Sequence, residues 1–421
     1  MSSLLLAFVL LGLGNLISRI KFFLKYKIQG SLISGILGLI FFTFNPKYQN
    51  SIEYLNWKDW PGITIALVFS ALFLEIREEK SGSGKISEII SQTSFVYVAI
   101  LGQMLLGVIL TFLFFKPIFH LPLSFSSVLE NGFAGGHGTA VAMHQAYSDN
   151  GLPNGTEYAL FSATIGIIAG IVGGIFLVEN SHLRKHPIHE ETSYDTSFDV
   201  PKLFINLGII CLGVFIGYHL KNTVKFYFPD LPEFPLFVYT LLMSASVRKF
   251  IILIGKKNII NNSIVGFLSN FFMEILIFTA ICTMNLKVIN EAILPMLILF
   301  SIGFIWNLFC HLVLRKKLLP KEFSFELSII NFGMLNGTTA IGLMLLKMID
   351  PELKSRAVKI YAESAPLTSP VIGGGILTLS LPYLLTKLGA IPIILFILSL
   401  ILIIYIIGIT FNKRLIINSK G

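Results

Sequence analysis

The chain has 421 residues, 54% of them hydrophobic and 13% charged, with a net charge of +9 and three cysteines. So few charges cannot cover so much apolar surface in water, which excludes a soluble globular protein. The basic excess lies in short clusters between apolar runs, which argues against nucleic acid as a partner, and Cys211, Cys282 and Cys310 sit inside apolar runs at no metal-ligand spacing.

In chain order, the first apolar run, Leu4 to Ile17, has no basic residue before it, and Arg19, Lys21, Lys25 and Lys27 follow it. A cleaved signal peptide has the reverse order, so this run reads as a retained first helix. The apolar runs together predict about eleven spans, at 2–18, 29–45, 61–76, 94–115, 157–179, 202–220, 235–248, 263–284, 292–313, 360–383 and 389–411. Two more stretches, 124–147 and 325–347, are apolar but interrupted by Gly, His, Asn and Thr. These are expected to be re-entrant or broken segments that do not cross.

Charge supports that expectation. With the N-terminus outside, the cytoplasmic loops hold the basic clusters at 19–27, 77–85, 184–202, 248–257, 315–321, 347–359 and 413–420, which carry 25 of the 32 Lys and Arg residues. Short loops rich in Lys and Arg stay cytoplasmic. Turning either interrupted stretch into a true crossing would invert every later loop and spoil the bias. On this topology the two interrupted stretches enter from opposite sides, so the halves are inverted.

The halves also share residues at an offset near 200. Asn131, Thr139 and Ala140 line up with Asn331, Thr339 and Ala340, and Gly173-Gly174 falls one residue out of step with Gly374-Gly375. Paired broken helices in inverted repeats are the architecture of secondary transporters, and the breaks mark the solute site. In hydrocarbon, non-helical backbone survives only where it is buried in protein or lines a cavity. A break frees N–H groups that favour an anion and carbonyls that favour a cation such as Na⁺. The expected substrate-binding residues are therefore Gly135, Gly136, His137, Gly138 and Thr139 in the first segment, with Asn336, Gly337, Thr338 and Thr339 in the second. The competing reading makes these glycines packing notches between helices. For Gly173, Gly174, Gly374 and Gly375, expected inside ordinary helices, packing is the preferred reading.

Acids inside apolar segments default to function. Glu274, near the middle of its expected span, reads as the deepest carboxylate; it can hold a cation or proton, or hydrogen-bond to a neighbouring helix. The ion-binding candidates are Asn131, Asn331, Glu274, Ser364 and Thr368. Glu363, beside Ser364, Thr368 and Ser369, is placed on the cytoplasmic route. His137 reads as a neutral residue fixing the break, with pH sensing as the alternative. Glu75, Glu157 and Glu179 fall near helix ends, where interfacial solvation is the default. No catalytic residues can be named, and no phosphate-binding loop or His/Cys metal set is present, so the chain reads as no enzyme and uphill transport would draw on an ion gradient.

At this point the residues resemble the bacterial sodium/glutamate symporter family. Gly-Gly-His-Gly-Thr at 135–139 is similar to that family's first re-entrant motif, its most specific feature. Asn154-Gly155-Thr156-Glu157, Ala163-Thr164-Ile165-Gly166, Gly173-Gly174, Glu233 to Val238 and Leu294 to Leu297 resemble further family stretches in order, over roughly residues 1–385. The resemblance implies a scaffold domain, a mobile transport domain, a homodimer through the scaffold, Na⁺ coupling and elevator-like alternation of access. It places site positions at Gly135 to Thr139 and at Gly333, Thr339, Ala340, Ile341 and Met344. Gly333 to Gly342 departs from the family's second motif by a missing proline and a shifted glycine. Ala71-Leu72-Phe73 replaces a polar Gly-Leu-Asn, and 389–411 is an additional span.

The expected fold is an all-α membrane protein of two inverted repeats plus an extra C-terminal helix. Its expected parts are 1–180 with the re-entrant segment 124–147, a cytoplasmic linker 181–201, 202–384 with the re-entrant segment 325–347, and 385–421. The expected function is Na⁺-coupled symport of glutamate or a related small carboxylate in a bacterial inner membrane, with the C-terminus cytoplasmic. Its partners are the carboxylate, Na⁺, membrane lipid and a second copy, with no cofactor beyond the coupling ion. The rival readings are a transporter of another organic anion or amino acid, with H⁺ coupling through Glu274 as one form of it, and a non-transporting membrane receptor or scaffold.

Overall fold

A computed structural model describes residues 2–25, 28–74, 86–181, 199–227, 236–350 and 355–418. Most of the expected linker 181–201, the basic stretch 77–85, Glu75 and residues 233–235 of the Glu233 to Val238 motif lie outside the described residues. The described secondary structure is entirely helical. In chain order the main helices are α1 (Ser2–Ser18), α2 (Gly30–Phe44), α3 (Ile52–Leu74), α4 (Ile86–Phe119), α5 (Val128–Phe133) and α6 (Gly136–Ala142). Next come α7 (His144–Asp149), α8 (Gly155–Glu179), α9 (Val200–Tyr227), α10 (Leu236–Leu253), α11 (Asn262–Cys282) and α12 (Ile293–Leu318). The last are α13 (Ser324–Asn336), α14 (Thr339–Lys347), α15 (Arg356–Thr368), α16 (Ile376–Leu388) and α17 (Ala390–Asn418).

Among the described residues, seven helices are long and apolar enough to cross a bilayer: α4, α8, α9, α10, α11, α12 and most of α17. Helices α1, α2 and α16 are apolar but shorter. The protein is thus a multi-pass membrane protein. The expected span 360–383 is not one helix: α15 stops at Thr368 and α16 starts at Ile376. Pro370, which lacks an N–H, and the run Gly373-Gly374-Gly375 interrupt it, with Gly373 and Gly374 at φ of 64° and 101°.

The chain divides into two compact units, each assembled from both halves: Met1–Glu79 with Glu190–Leu286, and Lys80–His189 with Lys287–Gly421. In the first, α11 packs on α2 and α3, α10 packs on α3 and α9, and α1 packs on α2. One apolar cluster joins Val68, Ala71 and Leu74 to Ile264, Val265 and Leu268; another sets Trp57 against Phe42 and Phe278. Close helix approach follows the small-residue rule of membrane interiors. A side chain at Gly213 would run into Ser244, and one at Gly217 would come within 2.8 Å of Thr240.

In the second unit α17 lies along α4, and α8 packs against α5, α6 and α13. Two stretches of this unit follow the same order. In α4, Lys116 N–H donates to the Thr111 carbonyl, five residues back, widening one turn; in α12, Arg315 N–H does the same to Cys310. Each widened turn is followed by a short 3₁₀ turn (Leu123–Ser127; Lys321–Phe323) and then by a broken helix pair. The recurrence adds an element-level match to the sequence repeat.

Candidate functional site

Three interruptions meet in the second unit. The first falls at Ala134-Gly135, between α5 and α6, and Gly136 opens α6 at φ 69°, a conformation that favours glycine. The second falls at Gly337-Thr338, between α13 and α14; the Thr338 hydroxyl caps α14 by accepting from Ile341 N–H at 3.3 Å. A Cβ on Gly136 would stand 3.3 Å from the Gly337 carbonyl, so these two breaks touch. The third is Ser369 to Gly375. A Cβ on Gly374 would lie 2.6 Å from Thr139 Oγ1, and one on Gly373 would lie 3.8 Å from the Ala134 carbonyl. Thr339 Oγ1 and the Tyr361 hydroxyl are 2.8 Å apart, which ties α14 to α15.

Helix α8 stays intact behind the breaks, and its glycines permit the approach. A Cβ on Gly166 would strike the Asn336 carbonyl; one on Gly170 would be 3.1 Å from Asn336 Cβ. Further along α8, Gly173 faces Phe304 and Phe332, and Gly174 faces Leu345. Packing accounts for this pair. The same reading fails at Gly374 and Gly375, which belong to the third break and to the start of α16.

The sequence-derived candidates divide into several roles. Gly135, Gly136, Gly337, Thr338 and Thr339 lie at the breaks, and half-buried Gly138 lies on α6. Thr139 is buried at the third break. His137 is buried, with Nε2 3.1 Å from Thr164 Oγ1. Because that hydroxyl donates to the Leu160 carbonyl, it accepts the Nε2–H, and the ring pins α6 to α8. Asn336 accepts at Oδ1 from Asn307 Nδ2 (3.0 Å), while Gln103 and Asn307 both donate to the Leu335 carbonyl, at 3.0 and 3.3 Å. These fully buried amides satisfy the carbonyl end of α13.

Among the ion candidates, Asn331 exchanges two amide hydrogen bonds with Gln92, at 2.9 and 3.0 Å, and so is occupied. Its counterpart Asn131 donates to the Tyr147 hydroxyl at 2.7 Å, and its Oδ1 is buried with no partner among the described residues. The Ser364 and Thr368 hydroxyls donate to carbonyls three residues back in α15. Glu274 lies in the first unit, where its Oε2 accepts from Ser31 N–H at 3.2 Å, at the start of α2. It is half-buried, and its carboxyl caps the first turn of that helix.

Among the described residues the most buried carboxyl is instead Glu130 on α5, with no exposed surface. Its Oε1 accepts from Gly373 N–H at 3.1 Å and from the Thr378 hydroxyl at 2.9 Å, and that hydroxyl in turn accepts from Gly374 N–H at 3.2 Å. Its Oε2 has no partner among the described residues. The rule that flags Glu274, an acid within an apolar segment, applies equally to Glu130 in 124–147.

The arrangement can hold opposite charges at once. Helix geometry leaves the Thr339 and Ala340 N–H groups at the start of α14 without intrahelical acceptors, and the last carbonyls of α5 without intrahelical donors. The family model described as sodium/glutamate symporter matches residues 1–339, from α1 to the second break, and leaves α14 after its first residue and α15 to α17 beyond the matched region. A search of curated proteins finds no match. With that match spanning most of the chain, over a multi-pass helical fold with paired broken helices, the chain belongs to the sodium/glutamate symporter family.

Proposed function

We propose that the protein carries glutamate, or a related small carboxylate, inward together with Na⁺ across a bacterial inner membrane. The convergence of the broken helices carries this reading, because unwound backbone in hydrocarbon survives only where it is buried in protein or lines a cavity, and in secondary transporters paired breaks mark the solute site. The N–H groups opening α14, with Thr338, Thr339 and the Gly135 to Thr139 stretch, hold the carboxylates. Carbonyls and hydroxyls at the same breaks hold Na⁺, so that the loaded site is close to neutral.

We further propose that the unit bearing the breaks moves the site between the two sides in an elevator-like step. The other unit serves as scaffold and as the face of a homodimer. Supporting this, every interruption described above belongs to one unit. About eleven spans, inverted halves and an external N-terminus complete the reading, as the distribution of basic residues favours.

Reconstituted protein should take up labelled glutamate into liposomes only under an inward Na⁺ gradient. Gly136→Val places a β-branched side chain at φ 69° beside the Gly337 carbonyl. The strain is roughly 1–3 kcal/mol, and uptake should fall to background. Wild-type liposomes that accumulate no acidic amino acid or dicarboxylate under any Na⁺ gradient would refute the proposal.

A further inference from the structure

We propose that Glu130 supplies the charge for a Na⁺ site built where the first and third interruptions meet, an assignment that rests on the Na⁺-coupled reading above. The carboxyl is fully buried, and among the described residues no Lys, Arg or His pairs with it. A buried carboxylate with no counter-charge is costly and requires either a bound cation or a proton. Its two oxygens are used unequally. Oε1 accepts the Gly373 N–H and the Thr378 hydroxyl, whereas Oε2 has no partner among the described residues.

Other oxygens border the same Gly373-Gly374 step. The Ala134 carbonyl, at the end of α5, lies beside Gly373, and Thr139 Oγ1 lies beside Gly374. The Glu130 carboxyl, a helix-end carbonyl and a hydroxyl thus all border this one step, and hard oxygen donors of this kind suit Na⁺. The two positive-φ glycines let the chain turn close to these oxygens without a side chain between them. The ionisable neighbours on adjoining helices do not supply the missing charge. His137 is engaged with Thr164, and the Tyr147 hydroxyl accepts from Asn131. The site also links coupling to structure, since the group that holds the cation is the one that ties the third break to α5.

Glu130→Gln separates charge from shape, because the amide Oε1 can still accept from both Gly373 and Thr378. In purified wild-type protein, ²²Na⁺ should bind without substrate, and Na⁺, unlike K⁺ or choline, should raise the melting temperature. In Glu130→Gln the Na⁺ concentration for half-maximal binding should rise by about tenfold or more, with the Na⁺-dependent melting shift lost and the melting temperature in Na⁺-free buffer retained. Thr378→Val, which keeps the charge and removes one donor, should retain the Na⁺-dependent shift.

Unchanged Na⁺ affinity in Glu130→Gln overturns the assignment and leaves the carboxyl as a tie between helices. Unchanged Na⁺ binding with a lost pH dependence of uptake also overturns it, making Glu130 a proton carrier. If wild-type protein binds ²²Na⁺ through Glu130 but transports no glutamate, the proposed substrate fails and this site stands. If Na⁺-driven glutamate uptake is intact in Glu130→Gln, transport stands and this site fails.

Discussion

Two Gly-Gly pairs show how little a residue says alone. Gly173-Gly174 and Gly374-Gly375 read alike in sequence, yet the first pair sits in an unbroken helix against Phe304, Phe332 and Leu345. The second follows Pro370 and a further glycine, and there the chain leaves the helix with Gly374 at φ 101°. Gly374→Ala should therefore cost roughly 1–3 kcal/mol from backbone strain alone, and its methyl would also press on Thr139 Oγ1. A lower melting temperature together with reduced uptake is expected; an unchanged melting temperature would mean that the third break does not have this backbone. The same contrast applies to the paired asparagines. Asn331 is saturated by Gln92, whereas Asn131 keeps a buried carbonyl oxygen without a partner among the described residues. Their alignment was legible in the chain, but the presence of Gln92 beside only one of them was not.

At the scale of elements, a broken helix has to satisfy the groups it exposes. The end of α13 does so with Asn307 from α12 and Gln103 from α4, both donating to the Leu335 carbonyl. Asn307→Leu keeps a similar volume but removes a donor from Leu335 and from Asn336 Oδ1, and leaves Gln103 Nε2 with one acceptor fewer. Buried polar groups left unmatched cost about 1–3 kcal/mol each, so the variant should melt several degrees lower, as thermal unfolding of the purified protein would show. Asn336, expected at the site for its amide within the broken segment, thus also supports the break. The breaks at 134–135 and 337–338 were readable because glycine, asparagine and threonine interrupt an apolar run. The break at 369–375 is not legible in this way, because hydropathy averaged across 360–383 stays apolar through a proline and three glycines.

For the whole molecule, the halves of the sequence and the compact units do not coincide. Each unit takes one piece from before residue 190 and one from after it. A repeat found by aligning the chain with itself reports duplicated segments, whereas a compact unit reports which segments pack together. The last helix, α17, packs along α4 within the unit that bears the breaks, and a side chain on Gly408 would meet Ser94 and Leu318. The charge distribution predicts a cytoplasmic C-terminus. A fluorescent reporter fused after Gly421 should therefore fold and fluoresce, while an alkaline phosphatase fused there should stay inactive; active phosphatase would reverse the orientation.

The sequence by itself determined the solvent of this protein, the approximate run of its helices, two of its three breaks and its family. These depend on hydropathy, charge and glycine content, which act over a few residues or a bilayer's width. Only the tertiary structure decided that the three breaks touch, that Glu130 lies buried against Gly373 and Thr378, and that Glu274 caps a helix in the other unit. Those outcomes depend on which groups from segments more than 200 residues apart satisfy one another. In an apolar interior that choice is made by the cost of an unpartnered charge or hydrogen-bonding group, and no local pattern encodes it.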